Sequence, residues 1–104
     1  MKLRTSFTAL AMLPILAHAA TDNTGLSLAK QNACMTCHAV DSHVVGPSFK
    51  AVAARYKGDK NAAAVLYQKI KMGGGGVWGQ TPMPPYPQAN DQDLHTIIQW
   101  VLAQ

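Results

Sequence analysis

Apolar residues recur at helical spacing in four stretches of this chain. The last is the most regular. Leu94, Ile97, Ile98, Val101 and Leu102 fall on one stripe, with Trp100 beside it, as in a helix that buries one face. Asn90 is placed to cap this helix, and Asp91 and Asp93 suit the positive end of its dipole, so the spacing predicts a helix from Asp91 to Ala103. A second helix is predicted from about Ser48 to Tyr56, with Phe49, Val52, Ala53 and Tyr56 on one side. Pro47 and Ser48 punctuate its start, and Gly58 its end. A third covers roughly Asp59 to Met72, where Ala62, Val65, Leu66 and Ile70 share a face and Asp59 is the candidate N-cap. The first, Gly25 to Cys37, has a thinner stripe of Leu26, Ala29 and Ala33. No stretch alternates with period two. The predicted class is all-α, with four main helices.

Between the third and fourth helices lies GGGGVWGQTPMPPYPQA, residues 73–89. Its five glycines and four prolines exclude a helix through most of it. The glycine run lacks the Lys-Ser/Thr that a phosphate loop requires, and no strand precedes it. Trp78, Met83 and Tyr86 would be wasted on a tether with no second domain to connect. An ordered loop lying against something flat and apolar is therefore expected.

The first nineteen residues read differently from the rest. Lys2 and Arg4 precede an apolar run from Phe7 to about Ala17, and Ala17-His18-Ala19 offers small residues for cleavage. This is the pattern of an export signal peptide cut near Ala19, too short and too interrupted by Pro14 for a membrane span. Residues 20–104 then form one small exported domain with no stable membrane insertion. Losing the leader removes two of the nine basic residues and none of the five acidic ones, leaving a net charge of +2. That is too weak a basic balance for a nucleic-acid footprint. A domain of this size with few large apolar residues and many alanines commonly leans on a metal, disulfide or cofactor.

Both cysteines lie in CMTCH, Cys34 to His38. A structural zinc site needs a second pair of ligands, which the spacing of His43 and His95 does not supply. Both histidines are expected to be solvated. A thioredoxin-like dithiol needs a preceding strand in a βαβ setting, and a simple disulfide would leave the small core unexplained. The spacing Cys-x-x-Cys-His is the attachment signature of c-type haem. It places both sulfurs on one helical face, with the next imidazole available to the iron. For the sixth ligand the candidates are Met35, Met72 and Met83. Met35 lies inside the motif, on the side of His38, and cannot swing round. Met72 ends a helix, where core packing is the ordinary fate of a methionine. Met83 sits in TPMPPYP, where the prolines fix the backbone and lower the entropy lost on holding a sulfur in place, and it is the preferred ligand.

With CMTCHAVD, VGPSFKAVAARYKG, QKIK, GVWG, PMPP and QWVLAQ in order, the chain resembles the small class I bacterial monohaem cytochromes c of the c-551 (c8) family. The resemblance covers nearly all of residues 20–104. It implies the class I fold, with four helices wrapped around one covalent haem c. By the same resemblance Cys34 and Cys37 form the thioethers, and His38 and Met83 are the iron ligands. Pro47 offers its carbonyl to the other nitrogen of His38, and Trp78 and Lys69 hold haem propionates. It further implies a periplasmic one-electron carrier, not an enzyme, expected to be a monomer. Its redox partners would be of the quinol-oxidising complex, terminal oxidase or nitrite reductase class, steered by Lys30, Lys50, Arg55, Lys57, Lys60, Lys69 and Lys71. The rival readings are a haem subunit of a larger reductase or oxidase and an open-site haem peroxidase. Two positions depart from the family: Tyr86 stands where an asparagine commonly follows PMPP, and Ala29 where the first helix often carries an aromatic residue.

Overall fold

The computed structural model describes residues 1–3, 6, 8–14 and 23–104. The predicted cleavage after Ala19 lies outside the described residues. Among the described residues four helices carry the fold: α1 (Asn23–Gln31), α2 (Phe49–Arg55), α3 (Ala62–Met72) and α4 (Asp91–Leu102). A single 3-10 turn, Cys34–Thr36, lies between α1 and α2. Among the described residues the only β pairing is two isolated bridges, His38 with His43 and Gly74 with Met83. The all-α expectation holds.

Helix α4 is the hub, because α1, α2 and α3 each pack on it and not on one another. Its apolar stripe is accordingly deeply buried: Leu94 and Ile98 are almost fully enclosed, and Ile97 and Val101 nearly so. Burying each such side chain contributes about 1.5–3 kcal/mol. One side of α4 packs Ile97 and Val101 against Ala29, Phe49 and Val52. The other packs Leu94 and Ile98 against Ala89, Leu66, Tyr67, Ile70 and Tyr86. Asn90 caps the helix as the sequence suggests, its side chain accepting from the Asp93 N–H at 3.1 Å. Small residues let α1 come close. Trp100 lies directly over Gly25, and Ala29, the departure from the family pattern, is fully buried.

Three expectations change. The first helix does not run through to Cys37. It ends at Gln31, and Ala33 takes the left-handed conformation (φ 59°) before the 3-10 turn begins. Asn32 closes the helix end, donating to the Leu28 carbonyl from both its backbone and its side chain. Asp59 does not cap α3 but forms the turn before it, its carboxylate accepting from the Asn61 N–H at 2.8 Å. The helix therefore begins at Ala62, later than predicted. Val65 is exposed, so the buried face of α3 is Ala62, Leu66 and Ile70 without it.

Candidate cofactor site

The segment after α1 is built to present Cys34, Cys37 and His38 together. In a 3-10 turn side chains three apart eclipse one another, so Cys34 and Cys37 leave the backbone on the same side. The turn is closed by N–H groups of Cys37 and His38, both donating to the Cys34 carbonyl, at 3.2 and 3.0 Å. Both cysteines are free and half-buried. Burial pushes the Cys34 thiol above its ordinary pKa, the opposite of what a redox-active dithiol requires. Among the described residues no three His, Cys, Asp or Glu side chains converge as a metal-binding group, so the donor set of a tetrahedral zinc site is not assembled.

His38 is held from three directions. Its Nδ1 lies 2.7 Å from the Pro47 carbonyl oxygen. A carbonyl only accepts, so Nδ1 carries the proton and the Nε2 lone pair is left free for a metal. Gly46 lies flat against the ring: a Cβ there would sit 2.5 Å from Cε1. Phe49, at the start of α2, stacks on the imidazole with centroids 5.1 Å apart and planes 19° apart, and meets Trp100 edge-on at 5.3 Å. The chain reaches this arrangement by folding residues 43–46 back, where the Val45 and Gly46 N–H groups both donate to the Cys37 carbonyl. His43, paired to His38 only through the backbone, is exposed.

Met83 comes from the long loop, which is ordered by backbone pairing. Gly74 and Met83 exchange hydrogen bonds of 3.0 and 2.8 Å. Gly73, at φ 70°, permits this approach: a Cβ there would lie 2.6 Å from the Met83 carbonyl oxygen. The Met83 side chain is half-buried, whereas Met72, at the end of α3, is 74% exposed and not a core residue. Lys69 projects toward the same bridge, its Nζ 3.3 Å from where a Gly74 Cβ would be. Trp78 is exposed in the loop, with the Arg55 guanidinium 5.5 Å above its ring centre. Val44, Val45, Val77 and Trp78 present apolar surface from the two loops that flank the cysteines and Met83. Such a surface fits a broad apolar group, and together with the free Nε2 of His38 and two adjacent thiols it suits a covalently held haem.

Several contributors have no signal in local spacing. Phe49 reads in the sequence as an ordinary helix-face residue, and Gly46 only as part of VGPSF. Tyr86 donates its hydroxyl to Asn32 Oδ1 at 3.1 Å, joining the loop to the segment that leads into Cys34. Lys71 is not a steering lysine on open surface. Its side chain is mostly buried, pairs with Asp91 at 3.0 Å and donates to the carbonyls of Pro87 and Ala89. The Tyr67 hydroxyl also donates to Asp91, at 2.8 Å, and its ring stacks on exposed His95 at 5.2 Å. The Tyr67 hydroxyl and the Lys71 ammonium hold the Asp91 carboxyl below the usual carboxylate range, while the Asp91 partnership raises Tyr67.

The cytochrome c family model matches residues 23–104. Cytochrome c-551 of Azotobacter vinelandii is 51% identical over 79 residues, spanning 76% of this chain and 95% of the relative. Cytochrome c-551 of Pseudomonas aeruginosa is 47% identical over 77 residues, 74% of this chain and 73% of the relative. Among solved structures, wild-type cytochrome c552 of Nitrosomonas europaea superposes with a TM-score of 0.72 at 46% identity, covering 75% of this chain and 96% of its own.

Proposed function

The chain belongs to the cytochrome c family, whose covalent haem c serves electron transfer and not enzymatic turnover, and from that premise we propose a periplasmic carrier with His38 and Met83 as its iron ligands. Cys34 and Cys37 supply the two thioether sulfurs. His38 binds through Nε2, with Pro47 fixing its tautomer and Phe49 and Gly46 its ring plane. Met83 binds through its thioether sulfur from the opposite loop, while Trp78 and Lys69 reach the propionates. When bound, the haem supplies a one-electron Fe(III)/Fe(II) couple, at a potential raised by the Met/His pair. The observation that carries this reading is the 2.7 Å contact of His38 Nδ1 with Pro47, which leaves a single ring nitrogen for the metal.

Residues 1–19 serve as the export signal, cut near Ala19, and residues 20–104 work in an oxidising compartment suited to thioether formation. Lys30, Arg55, Lys57 and Lys60 are exposed and available to steer acidic redox partners through a small, short-lived interface. The quinol-oxidising complex is the class of donor, and terminal oxidases or nitrite reductases the classes of acceptor.

Spectra of the holoprotein with and without carbon monoxide test the ligand assignment. A far-red methionine-to-iron band in the oxidised protein and no carbon monoxide uptake in the reduced protein are expected. Rapid uptake by the native reduced protein would overturn the carrier reading. Met83→Ala should open the site and lower the potential; unchanged ligation in that variant would move the assignment to Met72.

A further inference from the structure

The loop bearing Met83 is poor in hydrogen-bond donors, because residues 82, 84, 85 and 87 are all proline. Its few available attachments are therefore all the more important. Beyond the Gly74–Met83 bridge, the Tyr86 N–H donates to the Ile70 carbonyl at 2.8 Å. Lys71, one residue further along α3, donates to the carbonyls of Pro87, at 3.1 Å, and Ala89, and its charge is met by Asp91 at the start of α4. On the other side, the Tyr86 hydroxyl reaches Asn32 Oδ1, and Asn32 is itself anchored to the Leu28 carbonyl at 2.8 Å. Residues 86–91 are thus fixed to the end of α1, to α3 and to α4. Only Pro84 and Pro85 separate this fixed segment from Met83. Two consecutive prolines with locked φ leave little freedom with which Met83 could move independently.

We propose that Lys71 and Tyr86 are positioning residues for Met83, forming a clasp whose local opening governs how often the methionine sulfur leaves its place. The clasp uses none of the residues assigned above to hold the haem. It acts through the rigid Pro84-Pro85 link, and it rests on the reading of Met83 as sixth ligand. Opening the clasp breaks these few bonds and lifts the half-buried Tyr86 ring from the cluster of Ala89, Leu94 and Ile98, while that cluster keeps its packing on Leu66, Tyr67 and Ile70. Small anionic ligands would then gain access to the iron at the rate of clasp opening and not at the rate of global unfolding.

The test uses the oxidised holoprotein with cyanide as the probe. The limiting capture rate at saturating cyanide is measured for wild type, Lys71→Met, Lys71→Arg, Tyr86→Phe and Met83→Ala. Global unfolding rates and amide hydrogen exchange at Met83 and Tyr86 are measured alongside. Losing a charge-assisted or a partly buried hydrogen bond should raise the limiting rate about five- to tenfold. Faster exchange at the two amides is expected with it, and Lys71→Arg should restore most of the wild-type rate. Unchanged capture and exchange in both Lys71→Met and Tyr86→Phe would overturn the clasp, as would capture rates that simply equal the global unfolding rate. Failure of the ligand assignment looks different: Met83→Ala would then capture cyanide no faster than wild type. Should Lys71→Met fail to fold, Tyr86→Phe keeps the question open to a decisive answer, since it removes one hydroxyl and leaves the packing of the ring in place.

Discussion

Gly46 and His38 are in direct van der Waals contact, with the glycine α-carbon facing the imidazole so closely that a Cβ would stand 2.5 Å from Cε1 and 3.0 Å from Nδ1. The ring cannot retreat easily, because Phe49 stacks on it and Pro47 holds Nδ1.

Gly46→Ala is therefore expected to cost about 1–3 kcal/mol, the usual penalty for overpacking a fixed site. The His38 ring should tilt or the 43–46 turn should shift. A denaturant midpoint, read together with the imidazole resonances of the reduced holoprotein, checks both; an unchanged midpoint and unchanged resonances would show that the turn gives way freely.

Phe49 joins the histidine to the core, since it is buried and touches Trp100 as well as His38. Truncation to alanine should cost about 3–5 kcal/mol, and Phe49→Leu much less. If the stack orients the ring, the leucine variant should still perturb the His38 resonances at nearly full stability. Stability and spectra moving strictly together would argue for packing alone.

Ala33 sits at φ 59°, where a Cβ is unfavourable by about 1–2 kcal/mol and glycine is not. Ala33→Gly should thus stabilise the protein by about 1 kcal/mol, offset in part by the freer unfolded chain. Equilibrium denaturation of the holoprotein measures it, and a loss of stability would contradict the left-handed turn.

Asp91 gives a pH signature. Its carboxyl is held below the ordinary value of 3.8, first by the Tyr67 hydroxyl and then by Lys71. A carboxylate with a lowered folded pKa stabilises the fold above its unfolded value, and that contribution fades as pH falls through the folded value. Tyr67 is raised from 10.0 chiefly by Asp91, so its contribution is present below pH 10 and fades as pH rises through the folded value. In Asp91→Asn both limbs of the stability–pH profile should flatten relative to wild type. A profile that falls as steeply in acid as before would place the sensitivity elsewhere.

How far the sequence can be read depends on how far apart the interacting residues lie. The stripe of α4 and its Asn90 cap are local patterns, and both appear where the spacing puts them. The break after Gln31 is not local. Alanine is the best helix former, yet Ala33 leaves the helix, and the following turn is braced by residues 45 and 46 bonding back to Cys37. Lys69 and Lys71 look alike in QKIK, but two residues along a helix is about half a turn. One reaches Gly74 and the other the carbonyls of Pro87 and Ala89. The Tyr86–Asn32 bond spans 54 positions, and nothing in either neighbourhood announces the other. The cysteines, His38 and Met83 can be proposed from motif chemistry and Pro47 from the family resemblance, whereas the bracing by Gly46, Phe49 and the Tyr86–Asn32 bond emerges only when the chain is folded.

The acceptor beneath His38 is a peptide carbonyl, the one from Pro47, and a peptide carbonyl has no proton to gain or lose across the range in which proteins survive. A carboxylate in that place would switch between charged and neutral as the surroundings acidified, and the basicity of the imidazole would follow it. With Pro47 as partner, that source of drift is removed. The acceptor that Nδ1 faces is then the same whatever the acidity of the medium.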